Sequence, residues 1–295
     1  MNSLFRKKST IFTFLGPALL LYSLVVFVPI IWSVYHSFYR WSGLGTKEYI
    51  GVKNFIQLFT ADRNFWPVFS QTFIYTGLQI TFQVGGGLAL AILLVNIQKG
   101  RSILQAIFYI PVIISSVAIC QIFGKLLSVS PVGIVNELLG FINSDFRQIQ
   151  WLTTPKLSLL MCAMVEGYKT MGIYMVIFYS ALISVPHELV EAAIIDGTTS
   201  FQCLIHIKIP YIQHIILANT VLVLNNSFRS FDIPFLLTSG GPGTTSELLA
   251  SFMYKKSFSS MQYGYGSSIA TVIVLICFSL AVLYMKVFTS EENSW

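Results

Sequence analysis

Long apolar runs separated by short polar loops set the pattern of this chain. Six runs reach the roughly 20 residues an α-helix needs to cross a bilayer. They cover roughly 11–35, 72–97, 103–124, 157–183, 213–237 and 265–287. In hydrocarbon the backbone must satisfy its own hydrogen bonds, so runs of this length are helices. The pattern predicts an all-α, polytopic membrane protein with about six transmembrane helices in a single membrane domain over 1–295. The first three runs and the last are nearly free of charge, whereas the fourth contains Glu166 and Lys169 and the fifth ends with Arg229 and Asp232.

Composition agrees with this picture. Hydrophobic residues make up 55% of the chain and charged residues 10%, against about a quarter charged in a soluble domain. The net charge of +6 comes from basic residues flanking the apolar runs, which is a topology signal and gives no basis for nucleic-acid binding. Cys120, Cys162, Cys203 and Cys277 show neither CxxC nor Cys/His spacing, so they read as small packing residues and no metal site is expected. The uncharged stretch after Arg6, Lys7 and Lys8 is too long for a signal-peptide core and is read as a retained first span.

Lys99, Arg101, Lys208 and Lys286, with the N-terminal cluster, place both chain ends and the 185–212 loop on the cytoplasmic side of the membrane. The outer loops are then roughly 36–70, 125–156 and 238–264, and they hold Trp41, Trp66 and Trp151, suited to the membrane interface or to an external partner. The first outer loop is also basic, through Arg40, Lys47, Lys53 and Arg63. "GGG" at 85–87 suits close helix packing.

The segment "SVPHELVEAAIIDGTTSFQCLIHIKIP", 184–210, is polar for its neighbourhood. Pro186 fits the first turn of a helix, and Glu188 and Glu191 sit near its positive end. Asp196–Gly197 breaks that helix, because glycine accepts a positive φ. Thr199 or Ser200 caps a second helix, which runs to Pro210. Ala192, Ala193 and Gly197 remove bulk from one side, as close approach by another protein requires, whereas a helix lying on lipid would carry Leu or Phe there.

The pattern Glu191-Ala192-Ala193-x2-Asp196-Gly197, nine further residues, then Ile207-x-Ile209-Pro210, resembles the EAA loop of ATP-binding-cassette importer permeases. Ile209, Thr198 and Leu204 stand where the family more often has Leu, Ala and Phe. "GPALLLYSLVVFVPIIWSVYHSFYRWSG" with "YIGVKNFIQLF", and "LLTSGGPGTTSELLASFMYKKSF" with "YGYGSSIATVIVLICFSLAVL", are similar to the two ends of its carbohydrate branch, on the side of the maltose and glycerol-phosphate permeases. The resemblance implies a type I importer permease fold in a bacterial cell membrane and a pair of permeases, the second being a different chain. It also implies two ATPase subunits that bind ATP and Mg, and an extracytoplasmic sugar-binding protein. The chain itself would bind no cofactor and catalyse no reaction. Glu188, Glu191, Ala192, Ala193, Asp196, Gly197 and Pro210 would form the element coupled to the ATPase. The one Gly-rich loop, "TSGGPGTT" at 238–245, has no following Lys and is a turn, not a phosphate loop.

Glu166, Lys169, Thr170 and Ile173 share one helical face. An ionisable side chain in the membrane is costly unless it is paired or wet. Glu166 and Lys169 are therefore either a self-contained ion pair or part of a polar cavity wall; the resemblance supports the wall, since these positions match substrate contacts of the maltose permease. Asn219, Val223, Asn226, Ser227 and Ser230 form a second face, with amides and hydroxyls that suit sugar hydroxyls. Arg229 and Asp232 read as a structural or gating pair. Lys169 and Arg229 also admit an acidic sugar or sugar phosphate, which Glu166 opposes. A stand-alone transporter or channel using Glu166–Lys169 is the alternative of another class; it lacks inverted repeat halves. An enzyme is disfavoured because His36, His187, His206 and His214 all lie at or outside span ends.

Overall fold

The computed structural model describes residues 8–292; Arg6 and Lys7 of the N-terminal basic cluster lie outside them. Among the described residues four helices are long and apolar enough to cross a membrane: α1 (Phe14–Ser37), α2 (Phe65–Asn96), α6 (Pro155–Ile183) and the Tyr263–Leu283 part of α12 (Tyr263–Glu292). Two bent pairs raise the number to six: α3 (Arg101–Ile113) with α4 (Ser116–Leu126), and α8 (Ser200–Tyr211) with α9 (Gln213–Phe228). The shorter helices are α5 (Ile134–Gly140), α7 (His187–Ile195), α10 (Asp232–Thr238) and α11 (Leu249–Tyr254).

The third predicted span, 103–124, is not one helix, because α3 and α4 meet at 99°. Pro111 lies in the last turns of α3, where it lacks an N–H and crowds the preceding turn. Ser115 then takes an extended conformation, and its hydroxyl accepts the Ala118 N–H at 3.3 Å, which starts a new helix. The fifth predicted span, 213–237, also differs: α9 stops at Phe228 and α10 starts at Asp232. Pro234 cannot donate to the Ser230 carbonyl four residues back, whereas in the first turn of a new helix its missing N–H costs nothing.

The chain divides into two compact units. In the larger, Trp66–Phe252 with the end of the chain from Cys277, α6 is the central helix and packs against α2, α3, α4, α9 and α10. Its core joins Val84 and Ala91 of α2, Tyr174, Phe178 and Leu182 of α6, and Ile212 and Val223. Of the three glycines at 85–87 only Gly87 is needed for close packing, since a Cβ there would press on Tyr174 and the Met175 backbone. Trp151 donates its indole N–H to Asn136, whose amide in turn holds the Arg147 and Ile149 carbonyls at 3.1 Å. It is therefore engaged within its own loop.

The smaller unit joins the chain up to Phe65 with Met253–Ile276. After α1 a two-residue ladder, β1 (Tyr39–Arg40) and β2 (Glu48–Tyr49), pairs Tyr39 with Tyr49 and Arg40 with Glu48. Burial pushes the Asp62 carboxyl up, but hydrogen bonds from the Tyr265 hydroxyl (2.7 Å) and the Asn64 N–H, with the Lys256 ammonium at 3.0 Å, bring it below the ordinary carboxylate value.

Candidate functional site

Two places gather the residues that the sequence singles out, and both lie in the larger unit. The first is the loop after α6. Pro186 holds the N-cap position of α7 without a side-chain cap bond, and Glu188 falls in the first turn. Gly197 has φ +81° and open space where a Cβ would stand, so the turn demands glycine for its backbone and not for room. Thr199, not Ser200, opens the next helix: its hydroxyl accepts the Gln202 N–H at 3.3 Å, and the Gln202 side chain accepts the Thr199 N–H at 2.8 Å. The helix passes through Pro210 and bends by 65° into α9 at Ile212, which is fully buried.

Glu188, Glu191, Ala192, Asp196, Gly197 and Pro210 are exposed on this loop. Ala193 is not: it is 5% exposed, and its carbonyl accepts the Thr198 hydroxyl at 2.8 Å. Its small size serves packing inside the chain, so the bare face expected from both alanines and the glycine is Ala192 with Gly197 alone. Ile195 (84% exposed) and Phe201 (69%) stand out beside them. The loop thus presents an exposed apolar pair flanked by carboxylates on a capped turn, and apolar patches rimmed by polar groups are common at protein contacts.

The second place is a cavity of about 240 Å3 lined by Ser116, Glu166, Lys169, Thr170, Arg229, Ser230 and Asp232, with Phe231 and Ile233. It lies where α4 begins and where α9 and α10 part. Irregular backbone is tolerated at membrane depth when it lines a polar cavity, which gives both helix breaks a physical reason. The charges are sorted differently from the sequence expectation. Glu166 and Lys169 do not form an ion pair: the Tyr75 hydroxyl donates to Glu166, Ser230 Oγ donates to it at 2.7 Å, and Lys169 Nζ donates to Ser116 Oγ at 2.7 Å. Arg229 and Asp232 are not paired either: the Arg229 guanidinium donates to Asn226 Oδ1 at 3.1 Å, and Asp232 accepts from Ser116 Oγ at 3.4 Å. Ser116 thus links Lys169 to Asp232. The cavity wall carries two cations and two carboxylates.

Of the predicted second face, only Ser230 reaches this cavity. Asn219, Val223 and Ser227 are buried in the core; Asn219 donates to the Ile215 carbonyl and Ser227 to that of Val223, both at 2.7 Å. Ile173 is exposed, and the Thr170 hydroxyl is spent on the Glu166 carbonyl at 2.7 Å. Sequence reasoning missed Ser116 and Tyr75. Ser116 follows Pro111 and a second serine, a signal for a helix start within an apolar run; nothing in the sequence around Tyr75 marks it.

A polytopic helical bundle with broken helices around a charged cavity, and with a capped, exposed loop between two of its spans, has the features of a membrane transport component. The chain belongs to the family described as binding-protein-dependent transport system inner membrane component, which matches residues 9–289. It is a permease of the ATP-binding-cassette importer class, a transport subunit and not an enzyme. It is 33% identical over 285 residues, 96% of this chain and 97% of the other, to the probable ABC transporter permease protein YurN of Bacillus subtilis (strain 168). It is 28% identical over 281 residues, 95% of each chain, to the multiple sugar-binding transport system permease protein MsmF of Streptococcus mutans serotype c (strain ATCC 700610 / UA159). A solved bacterial alginate ABC transporter, in complex with an alginate pentasaccharide-bound periplasmic protein, has a chain with the same fold: TM-score 0.82, 22% identity, covering 93% of this chain and 92% of that one.

Proposed function

We propose that the chain is one of two different permeases in an ATP-driven importer for a neutral sugar or oligosaccharide delivered by an extracytoplasmic binding protein. Two partner ATPases hold ATP and Mg and drive alternating access through the 185–212 loop. The observation that carries the substrate class is the cavity at the helix breaks: its cations and carboxylates balance, and hydroxyls lie among them. Such a wall offers donors and acceptors to sugar hydroxyls and no net field for an ion. Relatives named for multiple sugars and for trehalose/maltose support the same class. Both chain ends and the loop face the cytoplasm, by the positions of Lys99, Arg101, Lys208 and Lys286.

Nucleotide-driven closure of the ATPases would pull on α7 and α8. The bend at Ile212 passes that motion into α9, whose far end borders the cavity. An acidic sugar or sugar phosphate is the second reading, favoured by the exposure of Arg229 and opposed by Glu166 and Asp232. The test is reconstitution in vesicles with the partner permease, ATPases and binding protein, using neutral oligosaccharides and uronates as competing substrates. ATP-dependent uptake of the neutral sugar is expected; uptake by the chain alone, or uptake of uronates only, sinks the reading.

A further inference from the structure

A second polar cavity lies wholly within the smaller unit. It has a volume of about 270 Å3, and Arg40, Trp41, Asn54, Gln57, Met261 and Gln262 are on its wall. We propose that it is a saccharide-binding pocket on the outer face of the membrane, taking one neutral pyranose unit. This rests on the reading of the importer as a sugar importer and on its topology.

The chemistry of the wall points to that ligand. Among the described residues nothing hydrogen-bonds the Trp41 indole N–H or the side-chain amides of Gln57 and Gln262. Asn54 spends its amide N–H groups on the Ser37 and Tyr39 carbonyls, at 2.7 and 3.0 Å, which leaves its carbonyl oxygen to accept. The Trp41 ring is packed against those of His36 and Tyr263, with centroids 4.7 and 5.7 Å away, so what it adds to the free amides is an indole edge with its N–H, and such a wall suits the hydroxyl-rich rim of a sugar ring. Arg40 is held by Glu48 at 3.3 Å, so the wall offers no uncompensated cation to an acidic sugar. Sites for drug-sized ligands run to about 300–1,000 Å3, so this smaller cavity suits a single sugar ring.

The pocket is also held in shape. Asn54 is buried at 5% exposure, and the Gly264 N–H donates to the Trp41 carbonyl at 3.2 Å. A Cβ at Gly264 would collide with the Tyr39 carbonyl, so glycine alone lets the start of α12 close on this strand. The Tyr265 hydroxyl is fixed on Asp62. Met261 sits on the rim with φ +53°, a left-handed conformation that is unfavourable for a non-glycine residue. Strain of this kind persists where the surroundings over-determine it, and it gathers at ligand sites.

The experiment is saturation-transfer NMR on the full chain in nanodiscs, with glucose, maltose, trehalose and glucuronate as probes. The neutral sugars are expected to receive saturation from the protein. In the double variant Gln57→Leu/Gln262→Leu, whose changed side chains are both exposed, the signal should fall at least five-fold. In Lys53→Ala, an exposed side chain outside both cavities, it should stay unchanged. A double variant that binds like the wild type, a signal abolished by Lys53→Ala, or no signal from any neutral probe overturns the proposal. So does a double variant that keeps the sugar signal and loses affinity for the binding protein, which would make the pocket a protein-docking surface. Uptake by the reconstituted importer reports on the sugar-import reading separately: wild-type vesicles that bind glucose here yet import no sugar would refute that reading and leave the pocket standing.

Discussion

Glu166 keeps a carboxyl group inside a long apolar helix because two hydroxyls, from Tyr75 and Ser230, converge on it. Removing the carboxyl altogether strands both. Glu166→Ala is therefore expected to destabilise the chain by about 1–3 kcal/mol, the cost of leaving buried polar groups unsatisfied, whereas Glu166→Gln keeps acceptors and should melt close to the wild type. Thermal unfolding of the two variants in one detergent checks the order, and equal melting temperatures would refute it. Gly197 poses the opposite problem. Its surroundings are empty and its backbone is left-handed, so Gly197→Val meets no clash yet should cost about 1–2 kcal/mol in the turn. Insertion and assembly should persist while binding-protein-stimulated ATP hydrolysis no longer yields transport. Gly197→Asn, a residue more tolerant of positive φ, should be milder.

At the scale of elements, small local signals decide where helices stop. Thr199 and Gln202 close a reciprocal cap at the start of α8, and losing the hydroxyl of such a cap costs about 1 kcal/mol. Thr199→Ala should therefore speed amide hydrogen exchange over residues 200–203 and leave α6 unaffected; uniform protection across both would contradict the cap's role. Pro111 and Pro234 act in the same local way on α3 and α10. Both prolines are visible in the sequence, but an average over a membrane-length window hides them, so hydropathy alone reports two straight spans. The helix–turn–helix after α6 was legible to within a residue, because its Pro, Gly and Thr each serve a backbone requirement that needs no distant partner.

The whole molecule decides what no window contains. Asp62, Lys256 and Tyr265 meet from opposite ends of the chain, and together they hold the Asp62 carboxyl below its ordinary value. A depressed carboxylate stabilises the fold fully above the ordinary value, near about pH 4. That contribution disappears as the pH falls through the lower folded-state value. The melting temperature of the wild type should therefore drop more steeply below about pH 4 than that of Asp62→Asn, which has already lost the contribution. Parallel curves would show that the network adds nothing.

Sorting of the cavity charges is of the same long-range kind. Residues three apart in sequence, Glu166 with Lys169 and Arg229 with Asp232, are the natural partners on one helix. The structure instead sends Lys169 to Ser116 and Glu166 to Tyr75 and Ser230. By itself the sequence determined the class of the molecule, the number of apolar segments and the capped loop, since hydropathy, capping and glycine or proline conformation act within a few residues. Only the tertiary structure decided which charged groups face one another, which alanine of the loop stays exposed, and that two apolar segments are broken to line a cavity. Those outcomes depend on hydrogen bonds and packing between elements tens of residues apart, whose partners no local pattern names.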